Sequence, residues 1–157
     1  MNQQVNPSWY PAQEHEQLVF DFILWFSRVE YAMKNVPGFY QISNGYLQPK
    51  WSAVNDLLKD ENIPPILNDA LIYMRTEPPN KQTDFNTWKP VKDSSDWKHL
   101  INSLKTIRNN LFHGGKHQAA PLLSQERDVI LLTHGKLIME QLIKVLPDDI
   151  QVYFEVA

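Results

Sequence analysis

The sequence predicts an all-α fold: an up-down helical bundle of about four long helices plus short helices. Three observations predict it. Long stretches lack both Gly and Pro, their apolar residues recur at helical spacing, and Pro or Gly pairs separate them. With 157 residues, 43% of them hydrophobic, and five Trp, six Tyr and seven Phe, the chain can build one core, so a single domain is expected over residues 1–157. Residues 1–12, polar and punctuated by Pro, and residues 148–157 are expected at its periphery.

The first helix is expected from Glu14 to Asn35, stopping before Pro37-Gly38. At about 100° per residue, Leu18, Phe22, Trp25, Val29, Met33 and Val36 share one face. Phe20, Ile23, Leu24 and Tyr31 form a second apolar group on the far side. A helix apolar on both sides is either central to the fold or packed against a second subunit. Glu30 interrupts this surface, and a partly desolvated carboxylate needs a partner. Asn44-Gly45 could close a hairpin within residues 37–49, but the flanking alternation is poor and a loop is expected. A helix over Lys50–Asp60 carries Trp51, Val54, Leu57 and Leu58 at helical spacing. Ile63-Pro64-Pro65 interrupts the chain, Pro65 opens a further helix to Arg75, and Pro78-Pro79 ends it.

Residues 78–92 read as a polar linker in which Trp88 plugs the edge of the core. Asp93-Ser94-Ser95-Asp96 then offers several N-caps for a helix running to His113, with Gly114 placed for a left-handed C-terminal cap. The last long helix, Gln125–Leu146, has a broad apolar face that includes Leu131, Leu132, Ile138, Met139 and Leu142. Gly135 lies within that face, where another helix can approach closely, and Pro147 ends the helix.

Composition narrows the function. A net charge of −3 supplies no global field for nucleic acid, so any such binding needs a local patch. Without cysteine there are no disulfides, no thiol catalysis and no thiolate metal sites. The opening residues lack the basic and apolar parts of a signal peptide, and the longest apolar run, Leu18–Phe26, is broken by Asp21. A soluble, cytoplasmic protein is expected, with no membrane as partner. His15, His99, His113, His117 and His134 form no ligand-spaced cluster with carboxylates, and no Gly-rich loop could cradle a phosphate. Neither a metal nor another cofactor is expected.

The usable chemistry is concentrated near the end of the Asp96–His113 stretch. On a helical wheel, Trp97, Leu100, Ile101, Leu104, Ile107, Leu111 and Phe112 fill a sector of about 140°. Arg108 points to the middle of it. A guanidinium there is costly unless it is paired or borders a wet cavity. One reading is a buried Arg108–Glu30 pair that fixes helix register. The other is an Arg108 that faces an anionic ligand, with Glu30 holding it from behind. The two are compatible.

His113 lies about 140° around the helix from Arg108 and about 7.5 Å further along it. A loosened last turn before Gly114-Gly115 would let the two converge on one pocket. Asn109, one turn before His113, can hydrogen-bond it. The negative end of the helix dipole favours a protonated imidazole and disfavours an anionic substrate, which Arg108, Lys116 and Lys105 would offset.

The string Arg108-Asn109-Asn110-Leu111-Phe112-His113 resembles the hallmark of the all-α HEPN superfamily: Arg, a polar residue, three further residues, then His. Its extension through Gly114-Gly115-Lys116, with Arg127-Asp128 and Leu131-Leu132 in the next helix, is similar to a prokaryotic subgroup met on plasmids and in defence contexts. Phe26-Ser27-Arg28-Val29-Glu30-Tyr31-Ala32 resembles that subgroup's first helix. The resemblance implies metal-independent RNA cleavage, in which two protomers pair so that both Arg-His motifs face one cleft and a 2′-hydroxyl attacks the adjacent phosphate. It implies His113 as general acid or base, Arg108 on the scissile phosphate, and Asn109 orienting His113 or the ribose. Lys116 and His117 would supply further phosphate contacts. It also admits a toxin or antiviral-defence role with a cognate antitoxin, and a non-catalytic RNA- or nucleotide-binding or protein-interaction module.

Overall fold

The computed structural model describes residues 13–84, 87–113 and 124–156. The fold is mainly helical. Helix α1 spans Gln13–Lys34, free of Gly and Pro throughout, with Lys34 in the last turn complementing the negative end of its dipole. Its buried face is Phe22, Phe26, Val29, Ala32 and Met33. The far side does not make α1 central, because Phe20, Leu24 and Tyr31 are exposed.

The expected loop after α1 is a hairpin. Strands β1 (Tyr40–Ser43) and β2 (Tyr46–Pro49) pair antiparallel, with Gln41 opposite Gln48 and Ser43 opposite Tyr46. Asn44 (φ 51°) and Gly45 (φ 78°) both take the positive φ of a type I′ turn. The alternation in Tyr40-Gln41-Ile42-Ser43 lasts only four residues and both strands are largely solvent-exposed, so the turn chemistry decides the structure. The Lys50 N–H donates to the Phe39 carbonyl at 2.9 Å and closes the base of the hairpin.

Helix α2 (Trp51–Leu58) buries Trp51, Val54 and Leu58, spaced for one face. Pro65–Leu67 forms a single 3₁₀ turn, and α3 (Asn68–Thr76) follows, burying Ala70, Leu71 and Met74. The expected polar linker contains a second hairpin, β3 (Asn80–Asp84) with β4 (Thr87–Pro90), in which Trp88 is half-buried. Helix α4 (Asp96–His113) comes next, then α5 (Ser124–Val145). Residues 148–157, expected at the periphery, hold α6 (Asp148–Val156), whose Ile150 and Phe154 join the core.

Where the sequence predicts about four long helices, three of the described ones reach 18 residues or more. The other three have eight or nine. Pro64-Pro65, Pro78-Pro79 and Pro147 cut the chain into these shorter pieces.

Helix α1 packs on α5 and α6, while α4 packs on α2, α3 and α5. Gly135 lies in the contact that its position predicts, against Phe22 of α1 and Leu104 of α4. Arg75 clamps the start of α4 through Asp93 (3.0 Å) and Asp96 (2.9 Å). Arg127, at the start of α5, binds Glu77 at 3.0 Å and the carbonyls of Glu77 and Pro78. These two arginines tie down both ends of the β3–β4 segment. No helix among the described residues is long and apolar enough to cross a membrane.

Candidate functional site

Helix α4 is buried along Trp97, Leu100, Ile101, Leu104 and Ile107, as its periodicity predicts. The apolar sector then runs out of core. Leu111 is only partly buried and Phe112 is 54% exposed, which corrects its expected place inside. Periodicity gives direction around a helix, but not the length over which neighbours cover it.

Arg108 sits where α4 emerges. Its guanidinium carbon lies 4.7 Å from the Phe112 ring centroid, one turn on, and 5.9 Å from that of Phe26 on α1. Two aromatic faces thus stabilise a cation within an apolar stripe, each by about 0.5–1 kcal/mol. Arg108 Nη1 also donates to Asn109 Oδ1 at 3.1 Å. Asn109, expected to orient His113 or a ribose, uses its Oδ1 to accept from the guanidinium, while the His113 side chain lies outside the described residues.

The guanidinium borders an open polar pocket of about 580 Å³. Phe26, Glu30 and Lys34 enter it from α1, and Gln41 and Gln48 from one face of the β1–β2 hairpin. Lys50 and Trp51 come from the start of α2, and Lys105, Arg108 and Asn109 from α4. Four cationic side chains surround one carboxylate. The pocket is therefore a local positive site in a chain whose net charge is −3.

Glu30 and Arg108 meet as neighbours of one pocket and not as a buried pair. Among the described residues no direct ion pair joins them, and the guanidinium's hydrogen bond goes to Asn109. Burial pushes the Glu30 carboxyl above its ordinary range, although the Arg108 charge, a hydrogen bond from Trp51, Lys34 and Lys105 all pull it down. Half-buried Lys105 shifts the opposite way. Burial lowers it first, the Lys81 charge adds to this, and Glu30 opposes both.

Of the sequence-predicted residues, Glu30, Lys105, Arg108 and Asn109 share this pocket. His113 is the last residue of α4, and its side chain lies outside the described residues, as do Lys116, His117 and the expected Gly114 cap. Sequence reasoning missed Lys34, Lys50, Gln41, Gln48 and Trp51. Lys34 had a signal, standing one helical turn after Glu30 on the same face; the others depend on where the first hairpin folds back. Among the described residues, no His, Asp and Glu side chains group as metal ligands would. No family model matches the chain, and no curated protein or solved structure matches it.

Proposed function

We propose that this chain is a metal-independent endoribonuclease of HEPN type, acting in the cytoplasm as a toxin or antiviral-defence protein. On this reading its long helices belong to an up-down bundle, and two copies pair to make a composite active site. RNA is the substrate, and a cognate antitoxin its regulator.

The observation that carries the proposal is the pocket, where Lys34, Lys50, Lys105 and Arg108 surround Glu30 in an otherwise acidic chain. Such a site attracts an oligoanion without a basic surface elsewhere. Arg108 binds the scissile phosphate through its guanidinium edge and stabilises the charge that develops there. His113, five residues on, is the acid-base group with a suitable ordinary pKa. A 2′-oxygen loses its proton to the base and bonds to phosphorus; the 5′-oxygen leaves with a proton, and a cyclic phosphate remains. The exposed Phe20, Leu24 and Tyr31 on α1 support pairing with a second copy.

Purified protein incubated with total RNA and a chelator tests the proposal. Cleavage is expected to persist and to leave cyclic-phosphate ends. His113→Ala is expected to abolish it with thermal stability nearly unchanged, and full activity in that variant refutes the assignment. A second reading, a non-catalytic RNA- or nucleotide-binding or protein-interaction module, draws on the same cationic pocket, which can bind an anion with or without an acid-base group. Binding without cleavage by the unaltered protein selects it.

A further inference from the structure

We propose that the pocket is the head of a longer track, along which single-stranded RNA runs from Arg108 and Lys105 over Lys81 and Lys89 of the β3–β4 hairpin. The inference rests on the RNA reading above and extends it to a surface outside the pocket.

The hairpin is fixed beside α4. Asn110 Nδ2 donates to the Asn80 carbonyl at 2.9 Å, which sets the start of β3 against α4 five residues beyond Lys105 and about 140° around the helix from it. At the hairpin's base, the Val91 N–H donates to the Pro79 carbonyl at 3.0 Å. Lys81 stands directly opposite Lys89 in the register, so both side chains rise from the same face, and both residues are exposed. The neighbouring pair, Gln82 opposite Trp88, occupies the other face, where Trp88 is half-buried. The two lysines thus stand on the face of the hairpin opposite Trp88.

Like charges placed opposite each other destabilise a hairpin that has no hydrophobic face to spare. Asp84, near the tip, is the one carboxylate among the described residues of both strands. A bound polyanion removes this repulsion. The charge of Lys81 also reaches Lys105 and disfavours its ammonium form, so the hairpin lysines and the pocket share one field. The pocket, about 580 Å³ and open, is of nucleotide size, and a single strand can present an unpaired base to it.

The test compares the full chain with a Lys81→Gln/Lys89→Gln variant, both carrying His113→Ala so that RNA survives. Binding of a labelled single-stranded dodecanucleotide and of a dinucleotide is followed by fluorescence anisotropy across a salt titration. The double variant is expected to bind the dodecanucleotide severalfold more weakly, with a slope of log affinity against log salt shallower by about 0.7 per lysine. Dinucleotide binding is expected to change far less than dodecanucleotide binding. An unchanged slope and affinity for the longer RNA overturns the track alone. If neither RNA binds the protein with both lysines intact, the pocket reading falls and the track falls with it. A variant that keeps its RNA affinity but loses binding to polyglutamate assigns the lysine face to an acidic protein, which also overturns the track.

Discussion

Replacing Gly135 with Ala sets two opposing effects against each other. Gly in the middle of a helix is less favourable than Ala by about 1 kcal/mol, so propensity alone makes the change stabilising. Packing works the other way. A Cβ at Gly135 would lie 2.6 Å from Phe22 Cε2, 3.0 Å from Cδ2 and 3.5 Å from Leu104 Cδ2. Carbon atoms rest at about 3.5–4.0 Å, so the ring must retreat by about 1 Å. Phe22 and Leu104 are both fully buried, and the Phe22 ring stacks on Phe26 with centroids 6.1 Å apart, so the retreat meets packed atoms. Overpacking of this kind costs about 1–3 kcal/mol. About 2 kcal/mol of strain less about 1 kcal/mol of propensity leaves a net loss of about 1 kcal/mol, or about 2–4 °C in Tm. In a Phe22→Leu background the ring is gone, and the same Gly135→Ala change is expected to stabilise. That reversal is a coupling of about 1–2 kcal/mol, readable by urea denaturation followed through Trp fluorescence. Stabilisation of about 1 kcal/mol in both backgrounds would refute the close contact of α5 with α1.

Two further outcomes separate the readings of the pocket. Glu30 has a folded pKa above its ordinary value of 4.5, so its contribution to stability is fully present below that value and is lost as pH rises through the folded one. Glu30→Gln is therefore expected to match the unaltered protein in Tm at acidic pH and to exceed it at neutral pH. A Tm difference that does not vary with pH contradicts this. Arg108→Ala removes two ring contacts and no buried ion pair, so a loss of about 1–2 kcal/mol is expected in denaturant titration, with the fold retained. A loss of about 3–5 kcal/mol would restore the buried Arg108–Glu30 pair.

The long helices were legible because periodicity and proline fix type and ends together. The expected Glu14–Asn35 and Gln125–Leu146 differ by one residue at each end from the observed Gln13–Lys34 and Ser124–Val145. Gly135 was legible as well, since a glycine within an apolar helical face has few reasons to be there other than close approach. The hairpins were not legible, because exposed strands of four or five residues carry too short a pattern, and Asn44-Gly45 was the strongest local sign of the first. At the site, the wheel correctly marked Arg108 as anomalous and Glu30 as its neighbour. Its apolar partners divide instructively. Phe112 is four residues away on the same helix and could be read from spacing, whereas Phe26 comes from α1 and could not. The hairpin's contribution of Gln41 and Gln48 follows from a fold-back that no local pattern encodes.

The manner in which Arg108 is held bears on what it can bind. A guanidinium has two faces and an edge of five N–H donors. Here the Phe26 and Phe112 rings satisfy the cation without using donors, and one donor goes to Asn109. Glu30 shares the pocket without forming a direct ion pair, so it tempers the local charge and leaves the fork open. A buried bidentate Arg-Glu pair would have consumed the same edge that a phosphate needs, and an incoming substrate would have had to displace it. Stacking fixes the side chain at little cost in donors, and Lys34, Lys50 and Lys105 then hold the field positive around it. That arrangement suits transient binding of an anion, a phosphodiester on the reading proposed above, better than a permanent structural bridge, because the donor edge is oriented before the anion arrives.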